Sequence, residues 1–364
     1  MQYLVKKNNF IFMLLIITIT TFTLSNILYI AWGENIPIVS TRDHFDKLTG
    51  SLTSTHPYNP LDNEIVNSIC MRNEVVIYVH GVWTNEQGHS IYAIENAQEV
   101  FERLKMSLED VVYNYPLIGF SWDSDTEISP LGWKYAKLIA KENGPKLAQF
   151  LLDLKNYCIE HYDNNIEIRL VGHSLGSRVI LSALNSLDNN NEWNLSEFKI
   201  LTVNLLGGAV DNYEVLKNNH FIPIHSNIKG YHGDAIQNQV SNFYNMYNFE
   251  DDVLEEKWWT LEFDEPLYYP LYEGDDIAIG QNPLNEVTPG MPSNYDNSDV
   301  MDQIIYEKNA DNDSDGCDLQ NVWEVCTING VGDNHLGYIG FRNSDDSLMN
   351  PGAIDKVVNT WNFS

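Results

Sequence analysis

Basic residues are scarce in this chain. Lys and Arg together number 21 against 51 Asp and Glu, for a formal charge of −30. Nucleic-acid binding needs clustered cations that displace counterions from phosphate, so that class of partner is excluded. An anionic lipid headgroup surface is disfavoured as a main docking partner for the same reason. Acidity of this size serves solubility or cation-rich surroundings and says nothing of fold. Cysteine is sparse too: Cys70, Cys158, Cys317 and Cys326, with no Cys-x-x-Cys pair, which removes the usual zinc spacing. In an oxidising compartment two disulfides are expected, with three pairings open. Cys317 with Cys326 is the local choice and leaves Cys70 with Cys158, the alternative being four buried thiols.

Charge is missing altogether between Lys7 and Glu34. As a signal peptide, this stretch would use Phe10–Ile19 as its apolar centre, with Ala31 and Gly33 at the cleavage site. As an uncleaved anchor it would use Phe10–Trp32, long enough for ~30 Å of hydrocarbon, with Tyr29 and Trp32 at the interface. Length leans toward the anchor, while the threonines and Asn26 weigh against it. Residues 1–33 are therefore expected to be a targeting segment that contacts the membrane if it stays attached. Lys6 and Lys7 precede the segment and acids follow it, so both versions place the body, residues 34–364, outside the cytoplasm.

What is present in that body is a core. Apolar residues make up 43% of the chain and aromatics 12%, enough for one large α/β domain with insertions. Residues 34–70 read as an irregular lead-in, with Pro37, Pro57 and Pro60 breaking any long helix. Apolar runs at 74–83, 111–125, 166–171, 198–210 and 239–254 read as strands. Helical spacing is seen at 90–108, at 132–162 with an interruption near Gly144-Pro145, and at 175–187. Strands alternating with helices predict a mostly parallel central sheet with helices on both faces. Beyond Leu254 the pattern decays, and 255–320 reads as an insertion or lid before the last strand. Pattern resumes at 322–328, and a closing helix is expected near 353–361.

The strand at 166–171 runs into Gly172-His173-Ser174-Leu175-Gly176. G-x-S-x-G between a strand and a helix describes an elbow that holds a serine in strained backbone with its hydroxyl exposed. The bland alternative is a tight strand-helix turn. An activated serine needs a base, and the base needs an orienting acid. On this type of elbow the order is Ser, then Asp or Glu, then His. His335 is the one histidine after residue 232, so it is the expected base. For the acid, Asp251 is preferred at the end of the strand 240–247, with Asp252 adjacent and Asp211 as a further alternative. Either aspartate would otherwise be an ordinary helix cap. The oxyanion needs two backbone N–H groups; Leu175 supplies one, and Val82, or else Trp83, the other.

Taken together, "VVIYVHGVW", "GFSWDSD", "LVGHSLGSRV", "NFYNMYNFEDDVL" and "DNHLGY" resemble the alpha/beta-hydrolase superfamily, of the lipase and esterase sort with a GHSLG elbow. The likeness covers roughly residues 74–254 and 322–345. It implies an alpha/beta-hydrolase fold with an eight-stranded, mostly parallel sheet and a Ser174–Asp251–His335 triad. No cofactor is required for such chemistry. One departure is the wide gap between Asp251 and His335, where the family usually has far fewer residues; it leaves the position of the last strand open. The expected activity is an exported serine hydrolase cleaving a small-molecule or lipid carboxylic ester. A lipase acting on long acyl chains is the runner-up, with Trp258, Trp259, Tyr268, Tyr269 and Tyr272 in the groove. A non-catalytic binding protein on the same fold is the alternative from another class.

One more motif stands apart. Asp311, Asp313 and Asp315 with Gly316 match the D-x-D-x-D-G start of a calcium loop. The twelfth position is Val322 rather than Glu, so a structural calcium competes with a solvated acidic loop closed by Cys317–Cys326.

Overall fold

The computed structural model describes residues 36–85, 95–113, 115–195, 198–217, 230–249, 251, 253–254, 278–304, 335–342 and 348–361. Among the described residues seven strands form one sheet: β1 (Ile38–Ser40), β2 (Glu74–Val79), β3 (Leu117–Ser121), β4 (Glu167–His173), β5 (Ile200–Leu206), β6 (Val240–Tyr247) and β7 (Tyr295–Asp299). Their spatial order is β1-β3-β2-β4-β5-β6-β7, and each neighbouring pair is parallel. Successive parallel strands need crossovers, and helices fill them. These are α1 (Asn63–Cys70), α2 (Ala97–Asp110), α3 (Pro130–Tyr162), α4 (Gly176–Asp188) and α5 (Gly233–Gln239), and α6 (Ile354–Asn359) follows the last strand. Helices α1, α3, α4 and α5 pack in one connected group, and α2 packs with α6 in another. Val75 to Val79 of β2 are wholly buried on alternating sides, as a parallel sheet covered on both faces requires.

Three elements differ from the sequence expectation. The lead-in is not irregular throughout. It supplies β1, which adds to β3 with Ile38 opposite Gly119, and α1. A three-residue strand has no readable period; its backbone partners come from the strand it joins. Helix α3 runs unbroken from Pro130 to Tyr162 through Pro145. Proline has no N–H to bond the carbonyl four residues back, which is Lys141. The hydroxyl of Ser182 on α4 bonds that carbonyl instead, at 2.7 Å. Gly144 makes the approach possible, since a Cβ there would lie 2.3 Å from Ser182 Oγ. Finally, the stretch 255–320 carries a sheet strand of its own: β7, "YDNSD", lies along β6 with Tyr295 opposite Phe243, their rings stacked at 5.3 Å. Its polar composition suits an edge that must not recruit another chain.

Cys70, the last residue of α1, is bonded to Cys158 of α3. Cys317 and Cys326 lie outside the described residues, as do 322–328 and the whole 1–33 segment. Among the described residues no helix is long and apolar enough to cross a membrane.

Candidate active site

Strand β4 ends at His173, and α4 begins three residues later. Between them Ser174 has φ of 51°, a left-handed conformation that costs a non-glycine residue strain and is kept where function demands it. Both flanking glycines stand against close neighbours. A Cβ on Gly172 would meet Ile180 Cδ1 at 2.6 Å, and one on Gly176 would meet the Val79 carbonyl at 2.3 Å. The elbow is therefore pressed between α4 and the neighbouring strand β2. Backbone bonds hold it there: Ser174 N–H donates to Leu206 O at 2.9 Å, and Ala209 N–H donates to Ser174 O at 3.1 Å.

The loop after β2 lies against the serine, because a Cβ on Gly81 would come within 3.0 Å of Ser174 Cβ. The loop is tied on both sides. Trp83 N–H donates to Ser124 O at 2.9 Å, so its amide is taken. Leu175 stands at the N-terminus of α4, where backbone N–H groups point outward and the helix dipole favours negative charge. Arg42, just after β1, fastens the far side of the loop: Nη2 donates to Thr84 O at 2.6 Å, Nε to Ser121 Oγ at 2.9 Å, and Nη1 pairs with Asp125 Oδ1 at 2.9 Å. His80 Nδ1–H donates to Gly81 O at 2.7 Å. Its other nitrogen accepts the N–H of Trp122. Burial, and then the Arg42 charge, push the His80 pKa well below the ordinary imidazole value, so both nitrogens keep these roles.

Asp251 lies four residues past the end of β6 and is fully buried. Its Oδ2 is 2.8 Å from His335 Nδ1, across 84 residues of sequence. Its Oδ1 accepts Leu254 N–H at 3.1 Å. A buried carboxylate is tolerable only with partners of this kind. With its proton on Nδ1, the His335 imidazole carries its basic lone pair on Nε2. His335 is 5% exposed, and its ring lies 4.8 Å from that of His173, the residue before the serine.

The other candidates fall elsewhere. Asp211 caps the turn Asn212–Val215 in a reciprocal capping box with Glu214. Asp252, and the calcium candidates Asp311, Asp313 and Asp315, lie outside the described residues. Trp258, Trp259, Tyr268, Tyr269 and Tyr272 do so too. His232 faces Glu214 at 3.6 Å, away from Asp251.

A family model described as an alpha/beta hydrolase of unknown function (DUF900) matches residues 62–239, from α1 through the elbow to the end of α5. The chain has an alpha/beta-hydrolase fold, and its residues 62–239 match a family of that fold. Among solved structures this hydrolase is similar to a cutinase-like protein from Cryptococcus sp., at 12% identity and a TM-score of 0.21, over 37% of this chain and 53% of that one. The chain thus spans about half the length of that protein. It is also similar to the esterase Pf2001 of Pyrococcus furiosus, at 11% identity and a TM-score of 0.29, over 53% and 68% of the two chains. A third likeness is to lipase B of Aspergillus fumigatus, at 10% identity and a TM-score of 0.31, over 72% and 56%. These likenesses are too distant to speak for a substrate. No curated protein matches the chain.

Sequence reasoning missed two residues beside this candidate site. Tyr338, three residues past His335, is fully buried, its hydroxyl 3.3 Å from Gly280 O and against Asp251; burial first, and the Asp251 charge next, push its pKa well above that of a free phenol. Arg42 precedes every motif and carries no periodic signal. A lone arginine after a three-residue strand reads as surface until the fold places it between β2 and β3.

Proposed function

We propose that this alpha/beta hydrolase is an exported serine hydrolase that cleaves a carboxylic ester. The observation that carries the reading is the 2.8 Å contact between His335 Nδ1 and buried Asp251, at the same end of the sheet as the strained Ser174. In this mechanism Ser174 Oγ attacks the ester carbonyl carbon while His335 Nε2 takes the hydroxyl proton. Asp251 holds the imidazole in the required tautomer and stabilises the imidazolium. The N–H groups of Val82 and Leu175 receive the oxyanion. His335 returns the proton to the departing alkoxide, which leaves as the alcohol with an acyl group on Ser174. Water then attacks that acyl group, its proton passing to His335 and on to Ser174 as the acid leaves. Side chains and water suffice for every step. The buried Cys70–Cys158 disulfide supports a body folded in an oxidising compartment.

The test is labelling with a fluorophosphonate, combined with hydrolysis of a short p-nitrophenyl ester. The wild-type protein should label and turn over, and Ser174→Ala should do neither while keeping its circular dichroism. A folded wild-type protein that neither labels nor hydrolyses any ester or amide would overturn the reading.

A further inference from the structure

The base stands just after residues 305–334, and its own backbone must be fixed if the imidazole is to meet the serine. We propose that His173, the variable residue of the G-x-S-x-G elbow, is a positioning residue that ties the backbone of the base to the nucleophile's own strand. This rests on the Ser174–Asp251–His335 reading and deepens it.

His173 Nε2 lies 2.7 Å from the carbonyl oxygen of His335. A carbonyl only accepts, so Nε2 carries the proton, and Nδ1 holds a bare lone pair. That Nδ1 is buried with no hydrogen-bond partner among the described residues. It faces the Gly81 loop, where a Cβ would come within 3.3 Å of it and within 3.0 Å of Ser174 Cβ. An unmatched acceptor costs stability, and a side chain that packed only for volume would not need one. Leu and Phe would fill the space and orphan nothing. What the imidazole adds is its single N–H, spent on the base residue across 162 positions of sequence.

Two features make the tie suitable for this place. His173 sits on the last residue of β4, fastened to β5 through Ser174 N–H, so the anchor moves with the nucleophile. His173 also stays neutral: burial first, then the His335 ring, with a smaller part from Arg103, drives its pKa well below the ordinary value, against the pull of the His335 carbonyl. With ring centroids 4.8 Å apart, a second cation would oppose the imidazolium that His335 forms during turnover. Asp251 fixes the ring and His173 fixes the chain that carries it.

The variants His173→Phe, His173→Gln and His173→Asn separate this from packing. Gln places an amide N–H at about the reach of imidazole Nε2, whereas Asn ends near the position of Nδ1 and falls short of the carbonyl. Activity is divided by the number of sites titrated with fluorophosphonate, so loss of folded protein does not enter. Misplacing a reacting group by about 1 Å can cost on the order of 100-fold. His173→Phe and His173→Asn should therefore lower kcat per titrated site by about 10- to 100-fold with KM within about twofold, and His173→Gln should recover at least about tenfold of that. Equal kcat for the Gln and Asn variants would overturn the proposal even if His173→Phe fails to fold. So would a wild-type kcat in His173→Phe beside an inactive His335→Ala. Full activity in His335→Ala sinks the triad reading, and this proposal with it.

Discussion

The Asp251 carboxylate meets His335 Nδ1 on one oxygen and Leu254 N–H on the other, with the Tyr338 hydroxyl packed beside it. Replacing it by an amide keeps the shape but offers His335 a donor, which favours the wrong tautomer. Asp251→Asn should lower kcat on the order of 10,000-fold with KM little changed, measured on a short p-nitrophenyl ester. A loss as large in Asp252→Asn, with Asp251→Asn active, would move the acid by one residue. Tyr338→Phe should lower kcat by no more than about tenfold, the equivalent of one hydrogen bond, because Leu254 N–H and His335 still hold the carboxylate. A collapse to the level of Asp251→Asn would mean that the phenol, rather than the backbone, orients the acid.

Among the elements, α3 and α4 depend on each other through one hydroxyl. Ser182→Ala leaves the Lys141 carbonyl without the donor that replaces the missing Pro145 N–H. Urea denaturation should then show a loss of about 1 to 3 kcal/mol, and Pro145→Ala in the same background should restore much of it by returning the helical bond. Behind the elbow, Arg178 of α4 pairs with Glu214 at 2.9 Å, both fully buried. Burial pushes the Glu214 carboxyl up, but the Arg178 guanidinium and His232 outweigh it and hold it below its ordinary 4.5. A carboxyl with a depressed folded pKa gives stability that is whole above the unfolded value and is lost as pH falls through the folded one. The urea midpoint should therefore drop steadily below about pH 4.5. Arg178→Met alone should cost about 3 to 5 kcal/mol by stranding the carboxylate. The double variant Arg178→Met, Glu214→Leu should recover most of that and flatten the acid limb. An unchanged limb in the double variant would assign the acid sensitivity to other carboxyls.

At the scale of the whole molecule, the disulfide spans 88 positions of sequence and closes a loop that holds β2, β3 and most of α3. Chain entropy predicts that its loss costs about 4.6 kcal/mol. The pair Cys70→Ala, Cys158→Ala should lower the urea midpoint accordingly, with the ester activity retained in the fraction that folds. The export proposal has its own readout, the native N-terminus by mass spectrometry. A start near Glu34 identifies cleavage, an intact Met1 in the membrane fraction identifies an anchor, and full-length protein recovered in the cytosol rejects both.

The elbow is legible in the chain because its physics is local. Strain at Ser174, close approach at Gly172 and Gly176, and an apolar strand followed by an amphipathic helix all fall within about twenty residues. The parallel class of the sheet is legible for a similar reason, since Val75 to Val79 read as a run with no solvent face. Tertiary structure decided what depends on partners far along the chain. β1 and β7 are strands because an existing edge supplies their hydrogen bonds; "IVS" and "YDNSD" carry no period of their own. α3 continues through Pro145 because a hydroxyl from another helix replaces the lost donor. Chain order pointed to Asp251 and His335, but only the turn after β6, and the 3-10 turn Leu336–Ile339 that follows His335, bring their side chains to 2.8 Å. The roles of His173 and Arg42 are non-local in the same way: each donates to a backbone carbonyl distant in sequence, and such carbonyls have no signature in sequence.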